Sequence, residues 1–150
     1  MTGAPREARF GADCVVGRLV EARLEDLPSA GDVARFIETM QAAFAKAGAG
    51  CVICADWRTA NVVSPEVGER LVELLRRGSR HFARSGVLLP AHSPTFVLQV
   101  ERLLREAGNP QRRAFNAPRP MLEWLGELLD ANELQRAADF LKCPVPAVPR

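Results

Sequence analysis

No apolar run in the 150-residue chain approaches the roughly 20 residues that a bilayer-spanning helix requires. A helical membrane span is therefore not expected. The opening stretch, MTGAPREARF, lacks the apolar segment of a secretory leader, and the expected address is the cytoplasm. Neither a Walker loop nor a Gly-x-Gly-x-x-Gly turn is present, so nothing speaks for a nucleotide and no cofactor is expected. Histidine is scarce: His81 and His92 are the two. Neither has neighbours at metal-ligand spacing, so no metal site is expected. There is also no Gly-x-Ser-x-Gly elbow. Asp56, His92 and Ser93 supply the residue types of a triad, but without that elbow or an oxyanion loop a hydrolase is the last of the readings. The expectation is a protein that is not an enzyme.

What is present suits one globular domain. The chain is 47% hydrophobic and 25% charged, which is enough apolar surface to bury a core and argues against disorder. Of the four cysteines, Cys51 and Cys54 form Cys-Val-Ile-Cys inside an apolar run. Residues three apart on a strand point to opposite faces, so this pair does not grip a metal as the same spacing does in a loop. Buried free thiols are expected.

The ends differ from the middle. Residues 1–6 are small or structure-breaking, and the tail 142–150, KCPVPAVPR, holds three prolines; both are expected to be flexible, leaving 7–141 as the domain. Within it, residues 8–11 and 14–24 read as two strands joined at Ala12-Asp13 as a hairpin. Ser29 caps a helix with Asp32 at its third position. Its stripe is Val33, Phe36, Ile37, Met40 and Phe44, and Gly48 and Gly50 end it. Residues 51–55 are wholly apolar, as in a strand covered on both faces.

Ser64-Pro65 and Ser93-Pro94 each open a further helix. The first runs its stripe from Val67 through Leu71, Leu74 and Leu75 to Phe82; the second carries Phe96, Val100 and Leu103. Residues 86–89 and 113–115 are strands, 120–129 a helix, and Asp130 with Glu133 caps a last helix to Leu141. The order β-β-α-β-α-β-α-β-α-α predicts an α/β fold: a mostly parallel sheet of about five strands, with an N-terminal hairpin and helices packed on it.

This order resembles the STAS domain, in its SpoIIAA-like branch, which is related to the CRAL-TRIO lipid-binding fold. The resemblance rests on Cys51-Val-Ile-Cys-Ala-Asp56-Trp-Arg58, Ser64-Pro-Glu-Val67, Gly86-Val-Leu-Leu89 and Met121-Leu-Glu-Trp124-Leu125, and spans residues 8–141. These are hydrophobic patterns and not a chemical fingerprint. The resemblance implies a regulatory module that binds a protein partner in bacterial signalling, or, from the lipid-binding relatives, a small carrier or sensor of an apolar ligand. In the phospho-switched members a serine near the start of the second helix is the acceptor. Eight residues after Asp56 stands Ser64, and the acceptor position falls on Glu66. A carboxylate there departs from the switch, and Ser64 reads as a cap.

Charge is uneven. Between Arg70 and Arg113 nine arginines face three acids, while the rest of the chain carries eleven basic and fifteen acidic residues. Such a stretch suits a solvated face or a partner with an acidic surface. Trp57 and Trp124 lie outside it, so base stacking, and with it nucleic acid, is disfavoured. The expected partner site is therefore Asp56, Trp57, Arg58, Ser64 and Glu66 with Arg76, Arg77, Arg80 and Arg84. Trp57, in a loop, is the aromatic anchor. Trp124 is expected in the core, and an exposed first strand offers a route to a homodimer.

Overall fold

The computed structural model describes residues 7–78 and 82–147. Its strands are β1 (Arg9–Asp13), β2 (Leu19–Asp26), β3 (Cys51–Asp56), β4 (Phe82–Leu88) and β5 (Arg112–Phe115). Its helices are α1 (Ala30–Ala47), α2 (Pro65–Gly78), α3 (Pro94–Ala107), α4 (Pro118–Gly126) and α5 (Ala131–Leu141). The strands lie side by side in chain order, β1 antiparallel to β2 and the rest parallel. This is the expected α/β fold with its hairpin.

The strand order fixes where the helices go. Each of the three parallel connections steps to the neighbouring strand in the same direction, and right-handed crossovers then place α1, α2 and α3 on one face. That face holds the larger core, with Val33, Phe36, Leu71, Phe96 and Val100 over Val20, Ile53, Ala55 and Val87. The other face is closed by α4 and α5, whose Met121, Leu125, Leu134 and Leu141 pack on Leu19, Val52, Cys54 and Leu88. Both faces of β3 are thus covered, as its apolar run predicts, and alternation sends Cys51 to one core and Cys54 to the other.

Local signals explain most boundaries. The Asp32 carboxylate accepts from the Ser29 backbone N–H at 3.1 Å. The Val67 N–H donates to Ser64 Oγ at 3.2 Å, the capping role expected of that serine. Asp130 and Glu133 exchange side-chain-to-backbone bonds at 2.9 and 2.8 Å. Ser93 does precede α3, with Pro94 in the first turn, but its hydroxyl makes no capping bond.

Several boundaries differ from the sequence reading. The hairpin turns through 14–18 and not at Ala12-Asp13, because Gly17 supplies a positive φ of 53° there. A Cβ at Gly17 would lie 2.4 Å from Glu133 Oε2, the atom that accepts the Arg18 N–H at 2.7 Å. β2 is buried from Leu19 to Ala22 and at Leu24, with Arg23 exposed. Phe82 belongs to β4 and not to the α2 stripe. The ladder slips by one residue between Cys51–Phe82 and Val52–Arg84. This bulge at Ala83 breaks the alternation that would have revealed the strand. Residues 143–147 form no helix or strand, yet Pro146 is buried; it shares a groove of about 820 Å³ with Leu122, Trp124 and Leu134. No helix among the described residues is long and apolar enough to cross a membrane.

Candidate functional site

The residues expected to form one partner surface are divided by the fold. Asp56 ends β3 on the α5 face, where both its oxygens receive Arg58: Nε to Oδ1 at 3.0 Å and Nη2 to Oδ2 at 2.9 Å. The same Nη2 donates to the Leu141 carbonyl at 2.9 Å, tying the end of β3 to the end of α5. Burial pushes the Asp56 carboxyl up, but the Arg58 side-chain and backbone bonds, with the charges of Arg58 and Arg23, outweigh it and hold the carboxyl below its ordinary range. Asp56 is thus an internal tie of the fold.

Trp57, next in the chain, turns to the opposite face. It is 4% exposed and its ring lies 6.5 Å from that of Phe96. It is not the solvent-facing anchor expected of it; strand alternation carries it into the larger core. Ser64 and Glu66 sit exposed at the start of α2. Arg76 and Arg77 are one helix-length away, about 15 Å at 1.5 Å per residue. Arg80 lies outside the described residues.

Arg70, Arg76, Arg77, Arg102, Arg105 and Arg113 of the basic stretch are exposed, and several of them also make contacts within the protein. Arg76 donates through Nε and Nη2 to the Glu106 carbonyl at 3.1 and 2.8 Å, closing the end of α3. Arg77 pairs with Glu73 at 2.8 Å and Arg102 with Glu106 at 2.9 Å, each one turn along its own helix. Arg84 is on the far face of the sheet, bonded to the Trp124 carbonyl at 2.7 Å and stacked 4.7 Å from the Trp124 ring centre. A charge count along the chain cannot separate these roles.

A different region gathers the features of a binding site. Between α1 and α2 runs a groove of about 540 Å³. Its walls are apolar (Val33, Ile37, Met40, Phe44 and Leu74), and Arg70, Glu73 and Arg77 stand at its rim. Beneath it, against the sheet, lies an inner cavity of about 60 Å³. Met40, Phe44 and Leu74 line both spaces and form the wall between them. Taken together the two fall within the roughly 300–1,000 Å³ common for small-molecule sites.

The inner cavity is apolar except for Trp57, Ser85 and Arg112. Ser85 and Arg112 are register partners on β4 and β5, so their side chains rise from adjacent strands on the cavity face. Arg112 is 9% exposed. Its Nη2 donates to the Leu75 carbonyl at 3.1 Å and its guanidinium lies 4.9 Å from the Phe82 ring centre. Its Nη1 is buried without a hydrogen-bond partner, and so is Trp57 Nε1. Burial pushes the Arg112 guanidinium down to about 10, which still leaves it charged at neutral pH. No carboxylate among the described residues pairs with it. Sequence reasoning missed this pair because Arg112 was one arginine in a basic stretch. Its one signal was alternation with Ala114, visible only if the strand starts at Arg112.

The remaining chemistry is sparse. Among the described residues no three His, Cys, Asp or Glu side chains cluster as a metal ion would need. All four cysteines are free, and Cys14 and Cys143 are half-buried and not fully buried as expected. Burial raises the thiols of Cys51, to about 11, and Cys54, so neither is an activated nucleophile. The chain matches no protein family, no curated protein and no solved structure.

Proposed function

We propose that the protein is a non-catalytic binding module, a small carrier or sensor, that takes an apolar ligand between α1 and α2. One observation carries this reading: an apolar groove of about 540 Å³ shares Met40, Phe44 and Leu74 with an inner cavity in which Arg112 Nη1 and Trp57 Nε1 are buried without partners. The resemblance of the sequence to the STAS order, whose relatives include the CRAL-TRIO lipid-binding fold, agrees with it. The test is mass spectrometry of the protein purified from its own cells, first native and then denatured. A noncovalent small-molecule adduct that is lost on denaturation supports the reading. A bare mass, together with no response of a groove-binding fluorescent probe, sinks it.

The second reading, the STAS-like module that binds a protein partner, shifts position on the surface. Val62, 47% exposed, and Leu98, 66% exposed, present apolar side chains near Ser64 and Glu66. Gln99 fixes that corner by bonding both the N–H and the carbonyl of Val63, at 3.1 and 2.9 Å. A partner in the same cells should then be lost on Leu98→Glu and kept on Arg77→Glu. The reverse pattern returns the arginines to the interface.

A further inference from the structure

We propose that Arg112 and Ser85 form the head-group subsite of this protein for an apolar monocarboxylate, whose chain runs past Met40 and Leu74 into the groove. The inference rests on the ligand-binding reading above and adds the chemistry of what is bound.

The case starts from the cost of the arrangement. A guanidinium taken out of water is tolerated where anions and hydrogen bonds compensate it. Arg112 has one backbone carbonyl and one aromatic ring, and its Nη1 has neither. Folding accounts for Nη2, which ties β5 to the Leu75 carbonyl, but it leaves Nη1 buried with no acceptor. A ligand carboxylate supplies one. It accepts from Nη1, and Ser85, the register partner of Arg112, stands beside it on the cavity face.

Charge and lining narrow the class further. The cavity holds one cation among side chains that are otherwise apolar apart from Trp57 and Ser85. One positive charge matches a monoanion, whereas a phosphate dianion would leave a net buried charge. The wall of Met40, Phe44 and Leu74 suits a hydrocarbon chain, and the unbranched thioether of Met40 can turn to admit it. The second unpartnered donor, Trp57 Nε1, lines the same cavity. It follows the residue paired with Leu88, three positions along β4 from Ser85, and is placed for an oxygen elsewhere on the natural ligand.

The test is calorimetric titration of the full-length protein with hexanoate and octanoate, and separately with hexanol and octanol. The acids should bind about tenfold or more tightly than the alcohols of equal length, since a charge-assisted bond is worth at least that factor. Arg112→Gln should erase the difference, while Arg112→Lys should restore part of it. The comparison of acid with alcohol on the unaltered protein needs no variant, so an unfolded Arg112→Gln does not void it. Equal binding of acids and alcohols overturns the head-group assignment and leaves the apolar-ligand reading standing. Binding of neither overturns both.

Discussion

Asp56 and Trp57 are adjacent in the chain and face opposite sides of the sheet. Asp56 ties β3 to the end of α5 through Arg58, while Trp57 packs on Phe96 of α3. The C-terminal end of β3 thus locks both helical layers to one strand, and the two residues make separate contributions to stability.

The Asp56 contribution depends on pH. Its carboxyl titrates below the ordinary value in the folded protein, so the unfolded chain binds the proton more tightly. The stabilisation is complete above the ordinary carboxyl value of about 3.9 and is lost as pH falls through the lower folded value. Asp56→Asn should lower stability by about 2 kcal/mol at neutral pH, the scale of a buried charged hydrogen bond. Denaturant melts at several pH values check this. The difference between the two proteins should shrink below about pH 4, and a constant difference would refute the account.

Gly86 sets how closely α4 approaches the sheet. A Cβ at this position would lie 2.8 Å from Met121 Cγ and 3.4 Å from Leu125 Cδ1, in a core where both side chains are fully buried. Gly86→Ala should destabilise by about 1–3 kcal/mol through overpacking. Combining it with Met121→Ala should cost less than the sum of the two single changes, because the second opens the space the first needs. Additive effects in chemical denaturation would show that the contact is not the cause.

Arg76 and Arg77 are neighbours on α2 with different work. Arg76→Ala removes both bonds to the Glu106 carbonyl and should cost about 1 kcal/mol. Arg77→Ala removes an exposed pair with Glu73 and should change stability by no more than about 0.5 kcal/mol. Equal losses in thermal melts would mean that the α3 end is not held by Arg76.

Most of the fold was legible because it rests on short-range chemistry. The Ser29, Ser64 and Asp130 starts, the apolar stripes and the run at Cys51 each carry their signal within a few residues. The start of β4 was hidden by the bulge at Ala83, and the hairpin turn by the need for a positive φ at Gly17. The site was much less legible. Which arginine is buried depends on register between β4 and β5, and which tryptophan faces solvent depends on strand parity at Asp56; neither is a local property. Thus Arg112 passed as one more surface cation, and Trp57 as a loop anchor.

Trp57 gives the sharpest separation between fold and ligand. Its indole N–H is buried without a partner, so removing that donor breaks no hydrogen bond and relieves an unsatisfied polar group, which ordinarily costs about 1–3 kcal/mol. Trp57→Phe keeps a ring against Phe96 but loses part of its volume, a change of opposite sign and similar size. The ligand-free protein should therefore change in stability by less than about 1 kcal/mol. Octanoate has no oxygen beyond its carboxylate, so it should bind the variant as it binds the unaltered protein. A ligand recovered from cells that carries a second oxygen should bind the variant more weakly, by about tenfold. If octanoate itself loses that factor, the carboxylate sits at Trp57 and the orientation assigned from Arg112 must be reversed.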